Sequence, residues 1–421
     1  MSVGRVALDV ARRTLPNGVR VVACRNPDGE SVVIAGLVVG GAALDPQGRE
    51  GLANFAATVA QRATTSRSYE QLHDTLDSLG AAFSMGCGRH AISFRAKCVR
   101  GHWRTVAELA ADVLRNASFP EEEVEKARGE LLTALRQDDD NTRFVADREL
   151  GHLVYPEGHP YRHPVVGYRR SVEAVSRDDL AACHERLFKP GALIVAVVGD
   201  LDPDEVFETM GGLVADWDGS PPATPDLAVP PLEATRRKTV AMADKSQADI
   251  ALGFPAIGRQ HPDFYALSQA TEIIGRLGLM GRLGENIRDK QGLAYYVYAT
   301  FERAFGPALW SAHAGVNPAN VQRATQGILE EVRRIQDEPV SDEEIADVQS
   351  HLVGVMPIML ETNDGVASTL ASIALFDLGD DYLERYPELV RSVTKDDIQR
   401  AAQTYLNAET YALAVAGPVG D

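Results

Sequence analysis

Nothing in this 421-residue chain approaches the ~18 consecutive apolar residues of a membrane-spanning helix, so no helical membrane protein is expected. Paired cysteines are missing too. Cys24, Cys87, Cys98 and Cys183 are scattered and form no CxxC, a pattern that fits free thiols in a reducing compartment better than a disulfide framework. Excess positive charge is absent: 42 Lys and Arg face 60 Asp and Glu, a net charge of −18. Such a surface repels phosphate backbones and anionic bilayers, which argues against nucleic-acid and membrane partners. An acidic wall of this kind instead keeps the chain soluble or attracts basic segments of a polypeptide. The opening MSVGRVALDVARRTLPNG carries arginines but no apolar core of signal-peptide length, so a cytoplasmic location is expected.

What is present is ordinary globular composition, 45% hydrophobic and 24% charged, in a chain too long for one core. Near the midpoint Pro221, Pro222, Pro225, Pro230 and Pro231 crowd into one stretch that neither a helix nor a central strand tolerates. They predict a semi-rigid connector over 218–235 between domains 1–217 and 236–421. The two sides resemble each other. Phe119-Pro-Glu-Glu-Glu-Val answers to Val340-Ser-Asp-Glu-Glu-Ile, and Val175-Ser-Arg-Asp-Asp-Leu to Val393-Thr-Lys-Asp-Asp-Ile. Strand-like Leu193-Ile-Val-Ala-Val-Val-Gly matches Tyr411-Ala-Leu-Ala-Val-Ala-Gly, and Leu79-Gly-Ala-Ala-Phe matches Gln291-Gly-Leu-Ala-Tyr. Four matches in one order at nearly constant offset imply a duplication.

Within the first half, β-branched runs at 20–24 and 32–39 predict strands. Helices are predicted over 52–62, over 68–79 with Ser68 as N-cap, over 103–116, and from Pro120 with three glutamates at the positive end of its dipole. A strand pair is predicted over 82–84 and 91–96. Strands and helices mix without regular βαβ alternation, so the fold class expected is α+β, built twice.

The helix Gly51-Leu-Ala-Asn-Phe-Ala-Ala-Thr-Val-Ala, the duplication, the Pro-rich linker and the tract His159-Pro-Tyr-Arg-His-Pro-Val-Val-Gly together resemble the pitrilysin/insulinase zinc peptidases, or inverzincins. Within that family the chain looks like the mitochondrial-processing-peptidase type. The resemblance implies two homologous α+β domains arranged as a clamshell around a chamber. Active members carry H-x-x-E-H on that helix, where i and i+4 imidazoles reach one zinc and the glutamate takes a proton from its water. Here those positions are Asn54, Ala57 and Thr58. The place of a further glutamate ligand on a later helix reads Leu132-Thr-Ala-Leu, with Glu130 a turn away. No zinc is therefore expected on this chain. His152, His159 and His163 read as loop histidines rather than ligands, and His184-Glu fails as HExxH because position 188 is Phe.

The second half keeps more. Gly281-Arg-Leu-Gly-Glu-Asn-Ile-Arg-Asp-Lys-Gln-Gly-Leu-Ala-Tyr is similar to a family tract whose Arg and Tyr map onto Arg288 and Tyr295. The resemblance gives this pair the task of donating hydrogen bonds to a substrate carbonyl as negative charge grows on it. The alternative is an ordinary helix-end cation and a strand aromatic. Gly275-Arg-Leu-Gly-Leu-Met-Gly lacks the GK[ST] of a phosphate loop and is expected to be a flexible loop at the chamber mouth. Residues 82–87 are where the resemblance places a substrate added as an extra strand.

The function expected is a non-catalytic, substrate-contacting subunit of a heteromeric zinc endopeptidase. Its partners would be a peptide substrate and a homologous subunit carrying the zinc, with a homodimer as the other arrangement. The alternatives are a purely structural scaffold, a peptide-binding homologue without proteolysis, and a self-sufficient metallopeptidase with unrecognised ligands.

Overall fold

Two β-sheets organise the chain, and the order of their strands repeats. The computed structural model describes residues 8–419. The first sheet contains β1 (Asp9–Thr14), β2 (Arg20–Arg25), β3 (Ser31–Val39), β4 (Ala82–Cys87), β5 (Ala91–Val99) and β6 (Leu193–Gly199), in the order β1-β2-β6-β3-β5-β4. The second contains β7 (Arg236–Ala241), β8 (Ala248–Pro255), β9 (Ala294–Phe301), β10 (Leu309–Val316) and β11 (Ala412–Gly417), in the order β7-β11-β8-β10-β9. Starting from β2 and from β7, the two orders are the same. Each begins with a parallel pair, β2/β6 and β7/β11, and continues antiparallel. The duplication is therefore written in the topology, and β1 is an addition peculiar to the first sheet.

The central strands explain what else each sheet needs. Every residue of β6 is buried, and β3 is nearly so, which requires cover on both faces. Helices of the same chain half supply one face. In the first half these include Leu52–Ala60, Trp103–Asn116, Arg177–Leu187 and Pro203–Val214, and in the second Phe264–Gly275, Val321–Asp337 and Lys395–Tyr405.

The other face is covered by a helix taken from the opposite half. One compact unit gathers residues up to Leu135, Pro164–Pro225 and Met356–Asp380. The other gathers Arg136–His163, Asp226–Val355 and the chain from Asp381 onward. Helix Asn363–Leu375 thus packs on β3 and β6, burying Val366, Ala367 and Leu370. Its carbonyl end is held by Arg20 Nη1 to Ala374 O at 2.7 Å, and Lys97 Nζ meets Asp364 at 2.8 Å in its first turn. Helix Thr142–Val154 packs on β11, β8 and β7 in the same manner, burying Val145, Ala146 and Leu150. The compact units consequently differ from chain halves 1–217 and 236–421 by these two exchanged segments. The connector itself, 217–232, carries no regular secondary structure.

Local expectations mostly hold, with three adjustments. The first helix stops at Ala60, β4 runs through Gly86 to Cys87, and His152 lies in the last turn of a helix rather than in a loop. Ser68 caps its helix in a full capping box with Gln71, its N–H donating to Gln71 Oε1 at 2.9 Å. No described helix is long and apolar enough to cross a membrane.

Candidate functional site

The helix Leu52–Ala60 starts from a constrained turn. Gly51 has φ +91°, and a Cβ there would stand 2.6 Å from the carbonyl of Val166, so only glycine fits. Two N–H groups at the helix start are taken by one carboxylate: Gly51 N donates to Asp45 Oδ2 at 2.8 Å and Ala53 N to Asp45 Oδ1 at 2.9 Å. Burial pushes Asp45 up to about 7 in spite of those bonds. Sequence reading missed this residue, whose one signal is an acid shortly before an apolar helix.

On this scaffold Asn54 and Thr58 lie one turn apart and half-buried, with Ala57 buried beside them. The arrangement is that of a metal-binding helix face, but the atoms do not fit zinc. Thr58 Oγ1 donates to Asn54 O at 2.8 Å, a bond along its own helix. Ala57 has no base to offer. On the later helix, Glu121–Asp139, Leu135 is buried in the core, and Glu130 is bound by the guanidinium of Arg62. Arg62 also meets Glu123 at 3.3 Å, so the nearby carboxylates are already matched to a cation. Among the described residues no cluster of three His, Cys, Asp or Glu is arranged to hold a metal ion.

Gln61, just past the helix, has a definite task. Its Oε1 accepts from Met85 N at 3.1 Å, on the free edge of β4, and its Nε2 lies 3.5 Å from Met85 O. The side-chain amide thereby imitates one residue of a neighbouring strand. Beside it lies a cavity of about 210 Å³ lined by Thr58, Gln61, Arg62, Tyr69, His73 and Phe83.

Arg288 and Tyr295 sit on two backbone irregularities in the second unit. Gly284–Lys290 winds as a π-helix, closed by Gln291 N donating to Asn286 O five residues back at 3.1 Å. A chain of amides holds the turn: Gln291 Nε2 donates to Asn286 Oδ1 at 2.9 Å, and Asn286 Nδ2 to Glu331 Oε1 at 2.7 Å. Gly284 is required, because a Cβ there would stand 2.3 Å from Leu279 O. Arg288 projects from this turn with its side chain 36% exposed, and its one ion pair among the described residues is with adjacent Asp289 at 3.9 Å. π-Turns of this kind are uncommon and concentrate at functional sites.

Tyr295 stands on a β-bulge. Ala294 pairs with Val316 and Tyr296 with Gly315, which leaves Tyr295 without a partner on β10. The residue is 65% exposed. The neighbouring tyrosines differ sharply. Tyr296 donates to buried Asp249, and burial raises its pKa further above the ordinary phenol value. Tyr298 accepts from Arg143 at 2.5 Å and stacks on His313 at 4.8 Å. Two of the three tyrosines are committed to packing; Tyr295 is not.

The remaining sequence candidates have structural tasks. His159 is buried and stacked on Tyr155 at 4.9 Å, and its Nδ1 accepts from Tyr161 N at 3.0 Å. Buried His184 donates to Leu114 O at 3.1 Å, and desolvation pulls it down to about 4. The glycine-rich tract forms a kinked helix, Leu277–Leu283, with positive φ at Gly278, Met280 and Gly281.

Residues 20–155 match the family described as Insulinase (Peptidase family M16), and residues 174–352 match Peptidase M16 inactive domain. Together they take in about three quarters of the chain. An uncharacterized zinc protease of Mycobacterium tuberculosis is 27% identical, covering 98% of this chain and 94% of its own. One from Bacillus subtilis is 21% identical over 98% and 99%. Among solved structures, a peptidase M16 inactive domain from Pseudomonas fluorescens superposes with a TM-score of 0.91 at 20% identity, covering 98% of both chains. A protease from Helicobacter pylori gives 0.90 at 18% identity, over 97% and 100%.

Proposed function

This chain belongs to the insulinase family of peptidases, M16, and from that premise we propose that it is a non-catalytic subunit contacting the substrate of a heteromeric zinc endopeptidase. In this reading it works in the cytoplasm. One contrast carries the reading. The helix bearing Asn54, Ala57 and Thr58 has been emptied of ligands and base, whereas Arg288 and Tyr295 remain exposed, uncommitted and presented by deformed backbone.

In this reading a homologous partner brings the zinc and the general base. Arg288 contributes a guanidinium and Tyr295 a phenol, both hydrogen-bond donors aimed at the substrate carbonyl oxygen. Their value lies in strengthening as that oxygen gains negative charge. The peptide lies extended in this reading, so that its carbonyls are open to such donors.

The test is peptide hydrolysis by this chain alone and mixed with a homologue that carries an intact H-x-x-E-H, with zinc added to each. Activity is expected in the mixture alone, and Arg288→Ala or Tyr295→Phe should lower kcat about 10²- to 10³-fold while leaving assembly intact. Chelator-sensitive hydrolysis by the chain alone would mean a self-sufficient metallopeptidase. Assembly without hydrolysis in any mixture would mean a scaffold.

A further inference from the structure

The repeat of one fold within the chain shows where the second copy is uncovered. In the first unit, helix Pro203–Val214 follows β6 and lies against β2 and helix Trp103–Asn116. It buries Val206, Phe207, Met210 and Val214 there. Ion pairs and one side-chain-to-carbonyl bond flank it at both ends. Asp204 meets Arg13 at 3.2 Å and Glu205 meets Arg104 at 3.1 Å, while Arg115 donates to Leu213 O at 2.6 Å and pairs with Asp216 at 2.8 Å.

Strand register gives the equivalent positions in the second unit. Val21 opposite Val195 on β2/β6 corresponds to Arg237 opposite Leu413 on β7/β11, and Ala23 opposite Val197 to Thr239 opposite Val415. Helix Val321–Asp337 takes the place of Trp103–Asn116 and puts Arg333 where Arg115 stands. No described element of the second unit fills the position of Pro203–Val214. What remains is a groove of about 860 Å³ whose lining includes Arg237, Thr239, Leu329, Arg333, Leu413 and Val415.

Its charge is the reverse of the chain's. Arg237 and Arg333 line it and no Asp or Glu does, in a protein of net charge −18. Arg333 is paired with Glu409 at 3.0 Å, but the Glu409 side chain is 80% exposed. An exposed pair of that kind is worth little and yields readily to a competing carboxylate.

We propose that this groove receives an acidic amphipathic helix from another chain, seated as Pro203–Val214 is seated in the first unit. Apolar side chains on one face would rest on Leu329, Leu413 and Val415. Carboxylates in its first turn would meet Arg237, and Arg333 would take the carbonyls of its last turn. The surface is separate from Arg288 and Tyr295, which lie at the other edge of the sheet order.

The probe is this protein's own sequence. A fluorescein-labelled, helix-stapled peptide of residues 200–217 is titrated into the full chain and followed by anisotropy. A second protein carries the same segment joined after Val419, so that a tether supplies a high effective concentration. Saturable micromolar binding is expected, weakened about tenfold by Arg333→Glu, by Arg237→Glu, and by Asp204→Lys with Glu205→Lys in the peptide. The joined segment should raise Tm by about 3 °C or more, an effect lost when Phe207→Asp and Met210→Asp are placed in the added copy. Binding indifferent to those charge changes overturns the proposal. So does an unchanged Tm, or a concentration-dependent dimer of the native chain that Arg333→Glu dissolves, which would make a second copy the occupant. Occupation by decanoate that the peptide cannot displace overturns it too.

Discussion

At the scale of single residues, Asp45 governs the helix on which the metal ligands of this family would sit. One carboxylate takes two backbone donors at the helix start, yet its burial outweighs them and raises it to about 7. The sign follows from linkage. The folded state holds this proton more tightly than the unfolded chain, whose Asp titrates near 4, so the carboxyl's contribution is fully present below about 4 and is lost as pH rises to about 7. His184, drawn down to about 4, acts in the opposite direction, losing stability as pH falls below about 6.5. The difference between wild type and Asp45→Asn isolates the carboxyl. Across urea midpoints measured from pH 4 to 8, the variant should gain relative to wild type as pH rises through that window and hold level above it. A difference independent of pH would mean that Asp45 is ionised throughout.

At the scale of elements, the free edge of β4 is closed at one point by the Gln61 amide on Met85. Gln61→Ala should leave the fold intact and speed hydrogen exchange at the Met85 amide by roughly fivefold, the worth of a bond of about 1 kcal/mol. Unchanged exchange at Met85 would show that the strand edge is protected by something other than this side chain. Elements with a local signature were legible beforehand. Trp103–Asn116 shows in its apolar spacing, and Ser68 with Gln71 announces a capping box. β1 was not legible, because Asp-Val-Ala-Arg-Arg-Thr is a half-exposed edge strand with no apolar run to mark it. Arg288 and Tyr295 could be picked out by their tract, but neither the π-turn nor the bulge that presents them follows from residue type. Both arise where the chain must reconcile neighbouring elements: buried Ile287 fixes one side of the turn, and β10 sets the register around the other.

At the scale of the whole molecule, the least legible feature is the exchange of helices between halves. Patterning shows that β6 and β8 are buried on both faces but not whose helix supplies the second cover. The exchange makes each half incomplete. Residues 1–217 without Asn363–Leu375 leave one face of β3 and β6 exposed, and residues 236–421 without Thr142–Val154 leave β11 and β8 likewise. At about 1.5–3 kcal/mol for each large buried apolar side chain, losing Val366 and Leu370, or Val145 and Leu150, removes about 3–6 kcal/mol, a large part of the roughly 5–15 kcal/mol that holds an ordinary domain folded. Cutting the chain in its unstructured connector therefore separates sequence repeats without separating folding units. Each half expressed alone should be aggregated or molten, with little near-ultraviolet circular dichroism. Expressed together as separate chains, the halves should co-purify through gel filtration and recover a cooperative unfolding transition, because each returns the helix the other lacks. Two halves that unfold cooperatively on their own would show that the exchanged helices are accessories to domains already complete at the duplication.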